Sequence, residues 1–261
     1  MLNSTAVQPT WKSPPSEAPR LSAEVLPRGS LTRSDRGEMY ELLEAYFEGT
    51  SFLRFEQDLT EKDLVILLRE PEDARVVGFS TLMKLPITVG TRPVVGFFSG
   101  DTIIARECWG SSLLGRQWLR TVFSEADCIQ RQSPDTLFYW FLICSGYKTW
   151  RYLPIFFRAY SPHPEWNAPA FDRQVLQTLA ADKFGDQYHP AAGVVRFHRA
   201  NPLRRGVAEV TEQRLRDPMV EFFIRMNPGH GQGDELACLA SISRSNLTPA
   251  GLRLLEAGSG R

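Results

Sequence analysis

Residues 137–144 read LFYWFLIC, an apolar run without a single charged side chain. A strand this apolar has no wet face to offer, so it belongs in the middle of a sheet that is covered on both sides. The flanking sequence supplies the covers. Before it, GSSLLGRQWLRTVF (110–123) places Leu113, Leu114, Trp118, Leu119 and Val122 on one helical face. After it, GYKTWRYLPIFFRAY (146–160) starts as a helix that Pro154 is expected to kink or end.

Upstream, RGEMYELLEAYFEGT forms an amphipathic helix over Met39, Leu42, Leu43, Tyr46 and Phe47, with Gly49 as its stop. Three strand-like runs follow at 62–69, 75–86 and 92–106, joined by short turns that favour an antiparallel meander. Gly96 and Gly100 inside the third run predict a bulge or a close backbone approach. A strand is expected near Leu21. Beyond Ser161, a Pro-rich connection leads to a helix over 171–183, a short strand at 193–198 and a helix over 211–226 with a restart at Asp217-Pro218. Residues 234–242 read as a strand or a short helix.

The expected fold is α/β (α+β): a mixed, mainly antiparallel central sheet flanked by helices. Its parts are a flexible tail over residues 1–20, which hold four prolines, a core over 21–160, and a C-terminal extension over 161–261 packing on that core. At 261 residues, 43% hydrophobic and 23% charged, the chain is globular rather than disordered or coiled-coil. Thirty basic against thirty acidic side chains give no net pull toward nucleic acid or an anionic membrane. The absence of a signal-like N-terminus, of a membrane-spanning run and of any CxxC pair makes a reducing cytoplasm the default expectation.

The order of elements over about 21–160 resembles the GNAT superfamily of acyl-CoA-dependent N-acyltransferases. There a long bulged strand leads into a helix whose glycine-bearing first turn holds the CoA pyrophosphate on backbone N–H groups, an anion site of the kind any helix N-terminus can form. Laid on this chain, that turn is Gly110, Ser111, Ser112, Leu113, Leu114 and Gly115, with Arg116 beside it for phosphate charge. Gly110 stands where the family usually has a long polar side chain and Leu113 where it has glycine. The resemblance implies an acyl-CoA co-substrate, acetyl-CoA first, with acyl carrier protein as another donor. It also implies a small-molecule amine or hydroxyl acceptor, direct attack, a backbone N–H near Ser99-Gly100 that polarises the thioester, and no metal. Tyr147 and Tyr152 are candidates to protonate the leaving thiolate. Asp101 and Glu107 are candidates for the base, and Glu56, on a possible strand, a further one. A monomer or a homodimer is expected.

Two other classes stay open on the residues. One is a non-catalytic ligand- or partner-binding protein of the same fold. The other is a hydrolase using Ser111, Ser112 or Cys144, with His163 or His198 as partner, although no GxSxG or HExxH is present. The basic stretch Leu203-Arg204-Arg205 with Arg214 and Arg216 reads as a solvated face or a phosphate attractant. The crowd of aromatics from 138 to 160 reads as core, or as the lining of an apolar pocket.

Overall fold

The structure, a computed structural model, describes residues 21–257. The expected tail over 1–20 and the chain end from 258 lie outside the described residues. Strand β1 (Ser22–Pro27) leads to α1 (Arg33–Tyr46) and α2 (Phe52–Thr60), then to β2 (Leu64–Arg69), β3 (Val76–Val89) and β4 (Arg92–Ile104). Next come α3 (Leu113–Gln132), β5 (Leu137–Cys144), α4 (Tyr147–Trp150) and α5 (Tyr152–Phe156). The remainder is α6 (Ala170–Phe184), β6 (Tyr188–His189), β7 (Val194–Val195), α7 (Glu212–Leu215), α8 (Pro218–Met226), β8 (Glu235–Ser241) and α9 (Pro249–Glu256).

One sheet runs in the order β1-β2-β3-β4-β5-β8-β7-β6. Only β4 and β5 pair in parallel; the other neighbours are antiparallel. The mixed, mainly antiparallel sheet and the 62–106 meander are therefore as expected. Alternate residues explain why LFYWFLIC carries no polar position. Phe138, Trp140, Leu142 and Cys144 point to the face covered by α3, α5 and α8. Tyr139 and Phe141 point to the opposite face, under α6. That second face also carries α1 and α2, over Val65, Leu67 and Phe79.

Local chemistry sets several boundaries. Thr32 and Asp35 close a capping box at the start of α1, with Asp35 N–H on Thr32 Oγ1 at 3.1 Å and Thr32 N–H on Asp35 Oδ2 at 2.8 Å. The restart at Asp217-Pro218 is real: Asp217 caps α8 by accepting from Met219 N–H at 3.0 Å, and Pro218 sits in the first turn. Pro154 does not break the 146–160 helix. The break falls at Arg151, and Pro154 lies in the first turn of α5, where no N–H is needed. Residues 52–60, with Phe52, Phe55 and Leu59 on one stripe, form a helix where a strand was expected at Glu56. The 193–198 strand shrinks to two residues, and 234–242 resolves as a strand because it pairs along β5.

The feature that positions the site is a bulge. Ser80 pairs with Thr102 and Leu82 with Ser99, so Gly100 and Asp101 together face Thr81. The parallel ladder between β4 and β5 ends at Ser99–Leu142, although both strands continue. They part there. Gly96 is the close approach: a Cβ on it would lie 2.8 Å from Leu179.

Candidate functional site

The gap between the parted strands opens into cavities on both faces of the sheet. On the α3 side lies a cavity of about 540 Å³, walled by the end of β4, the 109–115 turn and α4–α5. On the α1–α6 side lies one of about 520 Å³, between α2, α6 and the bulge. A small pocket of about 40 Å³ sits in the gap itself, lined by Ser99, Trp118, Trp140, Leu142, Tyr152 and Phe156. Thr102 and Thr149 line all three, so the spaces adjoin one another at the gap.

Charge divides the two large cavities. Among the described residues the α3-side cavity is lined by Lys148, Arg151 and Arg214 and by no carboxylate. Lys148 Nζ lies 3.6 Å from the Trp109 ring centre and donates to Val207 O at 2.6 Å. Burial, with Arg106 and Arg214 nearby, pulls its pKa below the ordinary lysine value. The turn meets the same cavity: Gly110, Ser111, Ser112 and Gly115 line it, and Leu114 lines the small pocket. Ser111 Oγ accepts from Leu113 N–H at 3.2 Å. The N–H groups of Ser112, Leu114 and Gly115 have no acceptor among the described residues. They are free for an anion. Leu113 packs on the core and Arg116 lines none of the cavities. The cations come instead from α4, the residue after it and α7, two of them from the aromatic stretch and one from the basic stretch of the sequence. Gly115 is there for packing, since a Cβ would come within 2.8 Å of Phe156.

Tyr147 and Tyr152 both line the α3-side cavity, and Tyr152 also lines the small pocket. Tyr147 is buried in the core, while Tyr152 stands at the junction of the two spaces with its pKa raised by burial. The pocket is aromatic: Trp118 and Trp140 lie 4.3 Å apart between ring centres, tilted at 44°. So part of the aromatic crowd is core and part is lining.

The α1–α6 cavity is lined by Asp58, Glu61, Asp101 and Glu235 and by Arg54, Lys62, Lys183 and Arg199. Lys62, 1% exposed at its side chain, pairs with Asp58 at 3.1 Å, and Lys183 pairs with Glu61. Asp101 and Glu235 have no salt-bridge partner among the described residues. Desolvation pushes the Asp101 carboxyl up to about 6; the Asp58 charge adds to the rise and Lys62 opposes it. Desolvation likewise lifts Glu235 to about 7, against the pull of Ser145 and with the charges of Asp101 and Asp58. Two carboxyls in one cavity titrate as a pair. Asp101 was legible beside Gly100 in the sequence. Glu235 was not, because only the pairing of β8 with β5 brings it here. Glu107 lies in the turn just after β4, exposed and 4.0 Å from Arg75, and lines none of the cavities. Glu56 is held by Arg36 at 2.9 Å on α2.

The hydrolase residues do not assemble. No histidine lines any of the three cavities. His163 stacks on Tyr160 and Trp166, and the ring of His198 meets Asp186 at 3.5 Å. Cys144 is fully buried, and desolvation raises its thiol pKa well above the ordinary value, which suits a core residue. No described helix is long and apolar enough to cross a membrane.

No family profile matches the chain, and no curated protein matches it. Solved structures do, in part. A GNAT family N-acetyltransferase of Escherichia coli, in complex with CoA, is 16% identical over 54% of this chain and 71% of its own, with a TM-score of 0.35. An acetyltransferase of Trypanosoma brucei is 20% identical over 57% of this chain and 99% of its own, also at 0.35. A protein of Enterococcus faecalis V583, described as a probable N-acyltransferase, is 16% identical over 53% of this chain at a TM-score of 0.37. The chain spans a third of that protein's length. At these scores the likeness is partial, and the functional reading rests on the site's own geometry.

Proposed function

We propose that this chain transfers an acetyl group from CoA to a primary amine by direct attack through the gap between β4 and β5. The observation that supports it is the difference in charge between two adjoining cavities, one lined by cations and the other by carboxyls and cations together. The α3-side cavity offers three cations, free N–H groups at the α3 turn and, among the described residues, no carboxylate, which suits the polyanionic end of CoA. The other side offers unpaired carboxyls, which suit an amine.

The pocket between them sets the size of the acyl group. About 40 Å³ holds roughly three water-sized groups, as many heavy atoms as an acetyl group contains. Asp101 accepts the proton that the attacking amine loses, and Glu235 helps hold the incoming ammonium. The new N–C bond forms as the C–S bond breaks. Tyr152, at the junction, gives its proton to the departing thiolate and recovers one from solvent.

Release of free CoA thiol, followed over a panel of primary amines and amino alcohols, tests this reading. Amine-dependent release with acetyl-CoA and little with long-chain acyl-CoA is the expected result. Tight CoA binding with no turnover on any amine would favour the non-catalytic binding protein.

A further inference from the structure

Ser99 is the last residue of β4 paired with β5, is 5% exposed and lines the small pocket. Its Oγ accepts from two indoles, Trp118 Nε1–H at 2.8 Å and Trp140 Nε1–H at 3.0 Å. A serine oxygen has two lone pairs and one proton. Both lone pairs are taken, so this hydroxyl can only donate. Among the described residues it has no acceptor. With Cβ and two indole donors about Oγ, sp³ geometry leaves one direction for the proton.

An acceptor for two indoles did not require a hydroxyl; a backbone carbonyl oxygen accepts as well and leaves no donor unpaired. A buried donor with no partner is costly unless something fills the pocket beside it. Two accepted bonds also polarise the O–H and make it a stronger donor than a lone serine. The pocket it lines is the one sized for the acyl group.

We propose that the Ser99 O–H donates a hydrogen bond to the carbonyl oxygen of the acyl group, strengthening as that oxygen gains charge during attack. Trp118 and Trp140 are positioning residues that fix the direction of the proton. The proposal rests on the acetyl-transfer reading above. No proton is transferred in this step: the hydrogen bond holds charge on the oxygen and is released when the carbonyl re-forms.

Difference infrared spectra of acetyl-CoA labelled with ¹³C at the carbonyl, bound to the whole protein, test it without needing an acceptor. In the wild type the bound carbonyl band should lie at lower frequency than in free acetyl-CoA. In Ser99→Ala it should move back toward the free value while the dissociation constant for acetyl-CoA changes little. The transfer rate to the best amine should fall by about 10²-fold in kcat, the usual cost of one oxyanion donor. Ser99→Thr, which keeps the hydroxyl, should retain most of both. Should Ser99→Ala fail to fold, Trp118→Phe and Trp140→Phe carry the test, since each leaves Ser99 in place with its proton less well aimed. Each should give a partial band shift and a smaller fall in kcat. A folded Ser99→Ala with the wild-type band and kcat overturns the proposal, as do folded tryptophan variants whose band and rate match the wild type. No bound band in the wild type would instead overturn the acetyl-transfer reading beneath it.

Discussion

With Glu235, which titrates alongside it, Asp101 sets the charge of the α1–α6 cavity between about pH 6 and 7. Its folded pKa of about 6 lies above the ordinary aspartate value, so the protein gains stability from it only while it is protonated. That contribution is present below about pH 4 and is lost as pH rises through 6. Asp101→Asn should therefore raise the Tm at pH 7 by a few degrees, with no gain at pH 4, in paired thermal melts. The same variant should lower amine acetylation by about 10²-fold, the usual contribution of a positioned base. On the proposed mechanism activity should run the other way, rising with pH through 6–7 as the two carboxyls ionise. Burial drives the rise in the Asp101 pKa, the Asp58 charge adds to it and Lys62 opposes it. Lys62→Met should shift the acidic limb of the pH–rate profile upward, and an unmoved limb would exclude Asp101 as the titrating group. At this scale the sequence showed Asp101 and both tyrosines, since they stand beside the bulge glycine or in the helix after the apolar strand. Lys148, Arg151 and Arg214 were in view only as part of an aromatic helix and a basic face. Nothing in spacing alone says which way a side chain will point.

Among the elements, the bulge in β4 is decisive. Gly100 is there because a Cβ would lie 2.6 Å from Thr81 Oγ1 and 3.0 Å from Lys62 Cε. Gly100→Ala must push back the strand or the lysine. Urea titration should show a loss of about 1–3 kcal/mol, the usual cost of overpacking, and the amine-dependent rate should fall by more than the folded fraction does. Gly96 and Gly100 announced this element in the sequence, as the unbroken apolar run announced β5. The helix over 52–60 was hidden because its four large apolar residues, Phe52, Leu53, Phe55 and Leu59, span little more than two turns and its charged face is short. The break between α4 and α5 was misplaced to Pro154 because proline reads as a breaker, yet in a first turn it costs nothing.

Across the whole molecule, the sheet does not end with β5. β8 pairs along its outer edge from Tyr139–Ser241 to Cys144–Leu236, and β7 and β6 extend it. Residues 161–257 thus bury the far edge of the most apolar strand and supply Glu235, Lys183 and Arg214 to the two large cavities. Residues 21–160 expressed alone should leave the β5 edge bare and aggregate or bind a hydrophobic dye. A well-dispersed NMR spectrum from that fragment would show that the extension is dispensable. The sequence offered the strands at 193–198 and 234–242 but not their partner, because β8 meets β5 across about ninety intervening positions.

Calorimetric titration of the full chain with acetyl-CoA, at low and at high salt, tests the central claim most directly. One site per chain with micromolar affinity is expected, weakened by salt because Lys148, Arg151 and Arg214 meet phosphate charge, and weakened further in Lys148→Ala. No heat at any salt, with acetyl-CoA raised to millimolar concentration, would contradict the reading of the α3-side cavity as a CoA site and acetyl transfer with it.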